Sequence, residues 1–185
     1  QICDRAAVLE DGKMVTLGTP GEAIRSLREY LYDTGPQNAG DAETAADGSP
    51  SNRRSLKCRI SSVTFEHPSS AARQHLLPGD PLSITIGYEA TVPLDDILFG
   101  IGIFDTQGRE IFGTNTEILG VPIGTVSGAG AIRFDLKSVP LLDGTYRVTI
   151  GIQNHDAGEV YDWSDQQHHF EVMNPGRTAG LVYIP

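Results

Sequence analysis

Apolar and polar residues alternate with a period of two along several stretches of residues 56–185. A β-strand points successive side chains to opposite faces, so this period indicates strands with one buried face and one wetted face. The same region contains no comparably long stretch with the 3.6-residue period of an amphipathic helix. The clearest stretches are residues 82–88, 132–136, 146–152 and 170–172.

Turn-forming residues separate these stretches at short intervals. Glycine, proline and aspartate combine in Pro78-Gly79-Asp80, Gln107-Gly108, Asp143-Gly144, Asp156-Ala157-Gly158 and Asn174-Pro175-Gly176. Short strands at such spacing, without helices between them, are typical of an antiparallel β-sandwich. We therefore expect an all-β sandwich of seven to nine strands over residues 56–185. Residues 97–104 are apolar or glycine on both parities, which predicts a central strand.

Residues 1–32 have a different organisation. Asp11-Gly12 stands between two apolar runs, which predicts a β-hairpin. Thr19, Pro20 and Glu22 then form the capping pattern of a helix start. Ile24, Leu27 and Leu31 fall on one stripe of that helix, and the segment is too short to cover the stripe by itself.

Residues 33–55 contain no Val, Ile, Leu, Met, Phe, Tyr or Trp. Such a segment has no apolar surface to offset the entropy lost on ordering, so we predict a flexible linker. The expected organisation is thus a short α/β segment (1–32), a linker (33–55) and a sandwich domain (56–185).

The net charge disfavours one class of partner, and the cysteines indicate the cellular setting. The net charge is −10, which disfavours binding to the phosphate backbone of nucleic acid. Cys3 and Cys58 lie in different segments without the spacing of a disulfide framework, so we expect reduced thiols and a cytoplasmic setting. The chain has neither a run of about 20 apolar residues, which a membrane span needs, nor a signal peptide.

Two parts of the chain resemble known families. "CDRAAVLEDGKMVTLGTPGEAI" (3–24) is similar to the last hairpin and final helix of an ABC-transporter nucleotide-binding domain. "DTQGREIFGTNT" (105–116), "LLDGTYRVTIGI" (141–152), "YDWSD" (161–165) and "GLVYIP" (180–185) resemble the C-terminal domain of Wzt, the ATPase subunit of the O-antigen ABC exporter. The phosphate-binding GxxxxGK[ST] loop and the Leu-Ser-Gly-Gly signature are absent, so this chain is not expected to hydrolyse ATP.

The second resemblance implies a fold, a ligand and partners. It implies an Ig-like or jelly-roll sandwich that binds the non-reducing end of O-antigen polysaccharide. It also implies a homodimer in which the C-terminal strand may be exchanged, and a transmembrane exporter subunit reached through the ATPase domain. The location would be cytoplasmic, at the inner face of the inner membrane. Two alternatives stay open: a dimerisation module that binds no glycan, and the equivalent domain of a teichoic-acid or capsule exporter.

If the domain binds sugar, the polar face of a sheet is where the site should lie, because planar polar side chains can bind neighbouring hydroxyls. The candidate residues are Arg133, Asp135, Arg147, Thr149 and Gln153. They would form one patch if their two strands are neighbours. The competing interpretation is a solvated sheet face with cross-strand Arg–Asp pairs.

Other residues are assigned more structural roles. Gly151 would leave a gap for a sugar ring, whereas Tyr161 and Trp163 are expected to support packing. Thr114, Asn115 and Thr116 should form a turn held by side-chain-to-backbone bonds. Specificity is expected in the loops 66–75 and 153–160.

Catalysis and metal binding are not expected. Asp95–Asp96 and Asp162–Asp165 are poorly placed as acid/base pairs. The five histidines lack the spacing of metal ligands, and no cofactor is predicted.

Overall fold

The computed structural model describes residues 3–10, 12–33, 54–68, 74–176 and 178–184. Almost all of the predicted linker, residues 34–53, lies outside the described residues, as do residues 69–73 of the predicted loop 66–75. The boundaries of the three predicted segments therefore stay predictions.

The N-terminal segment forms the predicted hairpin and helix. Strands β1 (Ala6–Glu10) and β2 (Lys13–Gly18) pair antiparallel, and Gly12 has the positive φ of 79° that the turn requires. Helix α1 (Pro20–Asp33) begins where the capping pattern predicts. Its start is closed by reciprocal bonds, from Thr19 N–H to Glu22 Oε2 (2.8 Å) and from Glu22 N–H to Thr19 Oγ1 (3.4 Å).

Among the described residues after position 53, the strands form two antiparallel sheets of three and four strands. Their orders are β3-β4-β7 and β6-β5-β8-β9. The strands are β3 (Cys58–Glu66), β4 (Leu82–Leu94), β5 (Leu98–Phe104), β6 (Glu110–Asn115), β7 (Val126–Leu136), β8 (Gly144–Gln153) and β9 (Val160–Val172).

The apolar side chains that alternate along these strands form one core between the two sheets. From the three-stranded sheet come Leu82, Ile84 and Ile86 of β4, each 0% exposed. The facing side chains of the four-stranded sheet, in β5 and β8, are Phe99, Ile101, Ile103, Tyr146, Val148, Ile150 and Ile152. Burial of this apolar surface is the main force that holds the sheets together. The predicted seven-to-nine-strand sandwich is confirmed with seven strands, and β5 lies between β6 and β8 as predicted for a central strand.

Both cysteines are free thiols, as expected. Cys3 is exposed, whereas Cys58 belongs to the core. Burial, together with the negative charge of Asp162, raises the pKa of the Cys58 thiol to about 11. No helix in the described part of the chain is long and apolar enough to cross a membrane.

Candidate functional site

Glycines occupy facing positions on three neighbouring strands of the four-stranded sheet. Gly102 of β5 pairs with Gly113 of β6, and Gly100 of β5 pairs with Gly151 of β8. The residues between them on β5 and β8 point into the core, so these glycines lie on the outer face. The missing side chains leave a groove of about 510 Å³ on that face, a volume typical of small-ligand sites.

Two aromatic rings lie against this glycine floor. A Cβ atom at Gly151 would stand 2.7 Å from Cε3 of Trp163, and one at Gly102 would stand 2.8 Å from Cε2 of Phe104. The space that Gly151 leaves is thus filled by the Trp163 indole. At Gly100, by contrast, the nearest atom to an added Cβ is 3.5 Å away, so this part of the floor is open.

Polar and apolar side chains surround the floor. The polar ones are Glu110, Asn115, Thr149 and Gln153, and the remaining apolar ones are Leu98 and Ile118. Ile101 and Thr114 also border the groove, but they pair with each other on the core-facing parity of β5 and β6. The Asn115 side chain is held by a hydrogen bond to the backbone three residues on, because its Oδ1 accepts the Ile118 N–H at 2.7 Å. Ile118 is 71% exposed beside the groove. The groove therefore combines amide and carboxylate groups with two aromatic rings.

The five predicted site residues do not form one patch. Arg133 and Asp135 lie on β7 of the three-stranded sheet, whereas Arg147, Thr149 and Gln153 lie on β8 of the four-stranded sheet. The condition for one joint patch, that the two strands are neighbours, is therefore not met. Strands β7 and β8 are consecutive in the chain, but the connection between them crosses from one sheet to the other.

Arg133 and Asp135 bind each other and their own sheet. The guanidinium of Arg133 donates from Nε to Asp135 (2.8 Å), from one terminal nitrogen to Glu66 (2.9 Å) and from the other to Ser83 (2.9 Å). The Ser83 hydroxyl also donates to Asp135 at 2.5 Å. All three nitrogens of the guanidinium are engaged: the Arg–Asp pair lies within β7, and the cross-strand bonds go to Glu66 of β3 and Ser83 of β4. This is a paired sheet face, as in the competing interpretation, although its Arg–Asp pair is not a cross-strand one.

The three predicted residues on β8 have different positions. Gln153 lines the groove. Arg147 stands two residues beyond Thr149 on the same face, opposite Phe104. It is half-buried and forms no hydrogen bond or ion pair with the described residues. Its side chain is thus not engaged in the sheet, yet Arg147 is not among the residues that line the groove.

Thr149 lines the groove, but its hydroxyl is engaged in the sheet. It donates to Oδ1 of the buried Asp165 at 2.8 Å and accepts the Gln166 N–H at 3.1 Å. Gln166 has a positive φ of 52° within an irregularity of β9. Thr149 thus holds the backbone of β9 rather than offering its hydroxyl to a ligand.

Several residues of the groove were not predicted as a site. Gly100, Gly102 and Gly113 are among them, although "FGIGIF" and "IFGTN" place glycine inside apolar stretches. Glycine in a strand interior often marks close approach of a ligand or another backbone. Trp163, expected to support packing, lies half-buried on the outer face and outside the core cluster. Tyr161 does belong to the core, and its hydroxyl donates to the Asp96 carbonyl at 3.0 Å.

The remaining polar candidates have structural partners. Asp96 accepts the His155 N–H (3.0 Å), and Asp162 accepts the Ile60 N–H (2.8 Å). Thr114 and Asn115 lie in strand β6 and not in the predicted turn, which begins at Thr116. The Thr116 Oγ1 accepts the Phe99 N–H of the neighbouring strand β5 at 3.3 Å. Within the described ranges, histidine, cysteine and carboxylate groups do not gather into a cluster that could hold a metal ion.

Comparisons with known proteins agree on one family. Residues 50–184 match the family model described as the Wzt C-terminal domain. The O-antigen export system ATP-binding protein RfbB of Myxococcus xanthus is 24% identical over 157 residues, which cover 80% of this chain. They cover 36% of RfbB, so the chain spans about a third of the length of that relative.

A solved structure shows the same fold. The crystal structure of the C-terminal domain of Wzt superposes with a TM-score of 0.62 and 17% identity, covering 69% of this chain and 80% of that one. The seven-stranded sandwich and the family match over residues 50–184 lead to one conclusion: this chain belongs to the Wzt C-terminal domain family.

Proposed function

We propose that the sandwich binds the end of a saccharide chain in the groove on the outer face of its four-stranded sheet. The glycine floor between two aromatic rings is the observation that carries this proposal. Aromatic faces pack against the C–H-rich faces of sugars, while amide, carboxylate and hydroxyl groups bind their hydroxyls. Gln153, Asn115 and Glu110 supply such polar groups beside Trp163 and Phe104.

The family assignment suggests which saccharide is bound. One relative is named as an O-antigen export ATP-binding protein, so we propose O-antigen polysaccharide, bound at its non-reducing end on the cytoplasmic side of the inner membrane. The ATPase domain of the whole protein would join the sandwich to the transmembrane subunit of the exporter. The predicted linker of residues 33–55 would keep the glycan close to the exporter even when each binding event is weak.

Filling the groove tests this proposal. Gly100→Val adds a side chain where an added Cβ meets no atom closer than 3.5 Å, and valine is favoured in strands. We expect the variant to fold but to lose at least about tenfold in affinity for the O-polysaccharide of the source organism, measured by titration calorimetry, because each 1.4 kcal/mol of lost contact is tenfold.

Gly124→Val is the matched control, because an added Cβ at this exposed loop position has no neighbour within 4 Å. It should bind as the wild type does. If Gly100→Val binds the O-polysaccharide as tightly as the wild type does, the saccharide site does not lie in the groove. Equal wild-type affinity for polysaccharide with and without its natural terminal sugar would contradict end recognition. Preference for a teichoic-acid or capsular polymer would favour the alternative exporter.

A second candidate function is dimerisation, which the C-terminal segment favours. Residues 181–184 pair with residues 140–142 through Leu142 N–H to Leu181 O (3.0 Å) and Tyr183 N–H to Pro140 O (2.8 Å). Leu181, Val182 and Ile184 are nevertheless 40%, 48% and 83% exposed. We propose that two copies exchange this segment, so that the same backbone bonds form between chains and the apolar side chains gain cover.

Sedimentation velocity tests the dimer. The wild type should sediment as a dimer, and the double variant Leu181→Asp with Ile184→Asp should sediment as a monomer, because two added carboxylates oppose burial. The control is the double variant Leu9→Asp with Leu17→Asp, which changes two exposed leucines of the N-terminal hairpin and should stay dimeric. A monomeric wild type would contradict this candidate.

A further inference from the structure

A second, polar cavity of about 270 Å³ lies where the edge strands of the two sheets meet. Ser61 and Ser62 of β3 form one wall, and Ser164 and Gln167 of β9 form the other. Asp162 and Arg54 close one end, with their charged groups 3.6 Å apart. Ile60, Val63, Trp163 and His168 complete its lining, so hydroxyl and amide groups share the walls with charged, aromatic and apolar side chains.

Irregularities in both strands open this cavity. The register of β3 on β4 shifts between Ile60 and Ser62, and the register of β9 on β8 shifts between Ser164 and His168. Both serine hydroxyls lean towards β4, because a Cβ at Gly87 would stand 2.9 Å from the Ser61 hydroxyl and closer still to that of Ser62. β-Bulges are common beside functional sites, where they change the direction of side chains.

Trp163 lines both this cavity and the glycine-floored groove. The two spaces therefore adjoin at one aromatic side chain on the edge strand β9. A linear polymer held in the groove can reach the polar cavity by passing over the indole.

We propose that the cavity between β3 and β9 is a second saccharide subsite, which binds the sugar next to the one held in the groove. This inference rests on the proposed function of the groove. Ser61, Ser62 and Gln167 would bind ring hydroxyls, as neutral hydroxyl and amide groups bind sugars without selecting a charge. The domain would then recognise both the chain end and the linkage that follows it.

Fragment length provides the test. Fragments that retain the non-reducing end are prepared by partial hydrolysis of the O-polysaccharide and separated by size, from one sugar upward. Wild-type affinity should rise by about tenfold when the fragment becomes long enough to enter the second cavity, the effect expected of two ordinary hydrogen bonds. The double variant Ser61→Ala with Gln167→Ala should lose this rise and bind the shortest fragments like the wild type.

The matched control is the double variant Ser127→Ala with Gln107→Ala, which removes one hydroxyl and one amide at exposed positions outside both cavities. It should keep the rise in affinity with fragment length. Unchanged binding of the shortest fragments also reports that the variant is folded. If short fragments bind and length adds nothing, or if the double variant keeps the gain, the second subsite is overturned and the groove stands. If no fragment binds the wild type, the groove and the subsite both fall.

Discussion

At the scale of single residues, Asp105 fixes the turn that joins the two glycine-bearing strands β5 and β6. Its Oδ1 accepts the N–H groups of Gln107 and Arg109, each at 2.9 Å, and its Oδ2 accepts Nε of Arg109 at 2.6 Å. The side chain is buried. Burial alone would raise the pKa of this carboxyl, but the bonds from Arg109 and Gln107 outweigh it and hold the pKa below its ordinary value of 3.8.

Asp105→Ala should lower the free energy of unfolding at pH 7 by about 2 kcal/mol, because two backbone N–H groups and a guanidinium lose their acceptor. The folded-state pKa lies below the unfolded value, so this stabilisation is complete above the ordinary pKa and is lost as pH falls through the folded value. In urea unfolding, the difference between wild type and variant should therefore shrink below pH 4.

Asp95→Ala serves as the control for this measurement, because Asp95 is an exposed aspartate after β4 with no hydrogen bond to the described residues. It should change stability little at either pH. A difference between wild type and Asp105→Ala that stays constant from pH 7 to pH 2 would contradict the role of the ionised carboxylate.

At the scale of elements, the irregularity in β9 shapes the edge of the candidate site. Ile150 of β8 pairs with Ser164, and Val148 pairs with His168, so residues 165–167 stand opposite Thr149 alone. Thr149 and Asp165 together hold this bulge, and Gln166 adopts its positive φ within it. The bulge begins two residues after Trp163, which lines both cavities.

Thr149→Val should therefore lower stability by about 2 kcal/mol, since a buried carboxylate oxygen and a backbone N–H lose their partner. Thr149→Ser keeps the hydroxyl and should recover most of the loss. Thermal unfolding of both variants measures this. Equal stability of the valine and serine variants would show that the hydroxyl does not hold the bulge.

The sequence predicted the individual strands and the helix better than it predicted which strands pair with one another. The capped helix, the hairpin at Gly12 and the central strand β5 depend on local signals, namely turn residues, caps and alternation. The separation of Arg133 from Arg147 depends on which sheet each strand joins. Pairing between distant strands leaves no local signal, so alternation could assign these residues to an outer face but not to a common one.

The candidate site was only partly predictable for the same reason. Gln153 lines the groove as a polar residue on the expected face. Gly100, Gly102 and Gly113 become a floor only when β5 lies between β6 and β8. The role of Thr149 was also hidden, because the partner of its hydroxyl, Asp165, lies 16 residues away on another strand.

At the scale of the whole molecule, the groove lies outside the sandwich rather than between its sheets. The apolar core is closed by Phe99, Ile150 and Ile152, which are fully buried beneath the outer face. A ligand can therefore reach the groove without separation of the sheets, and the scaffold beneath it stays packed. The N-terminal segment approaches the same sheet, where Gly21 of α1 contacts the backbone at Gln107 and Gly108 in the β5–β6 turn.

The central claim is that a saccharide chain end occupies the glycine-floored groove. The most direct measurement is an NMR titration of the labelled protein with the O-polysaccharide of the source organism, following backbone amides and the Trp163 indole. We predict that the largest shifts arise at Gly100, Gly102, Gly113 and Gly151 and at the indole, with little change at Arg133 and Asp135. Shifts confined to the three-stranded sheet, or none at saturating polysaccharide, would contradict the account.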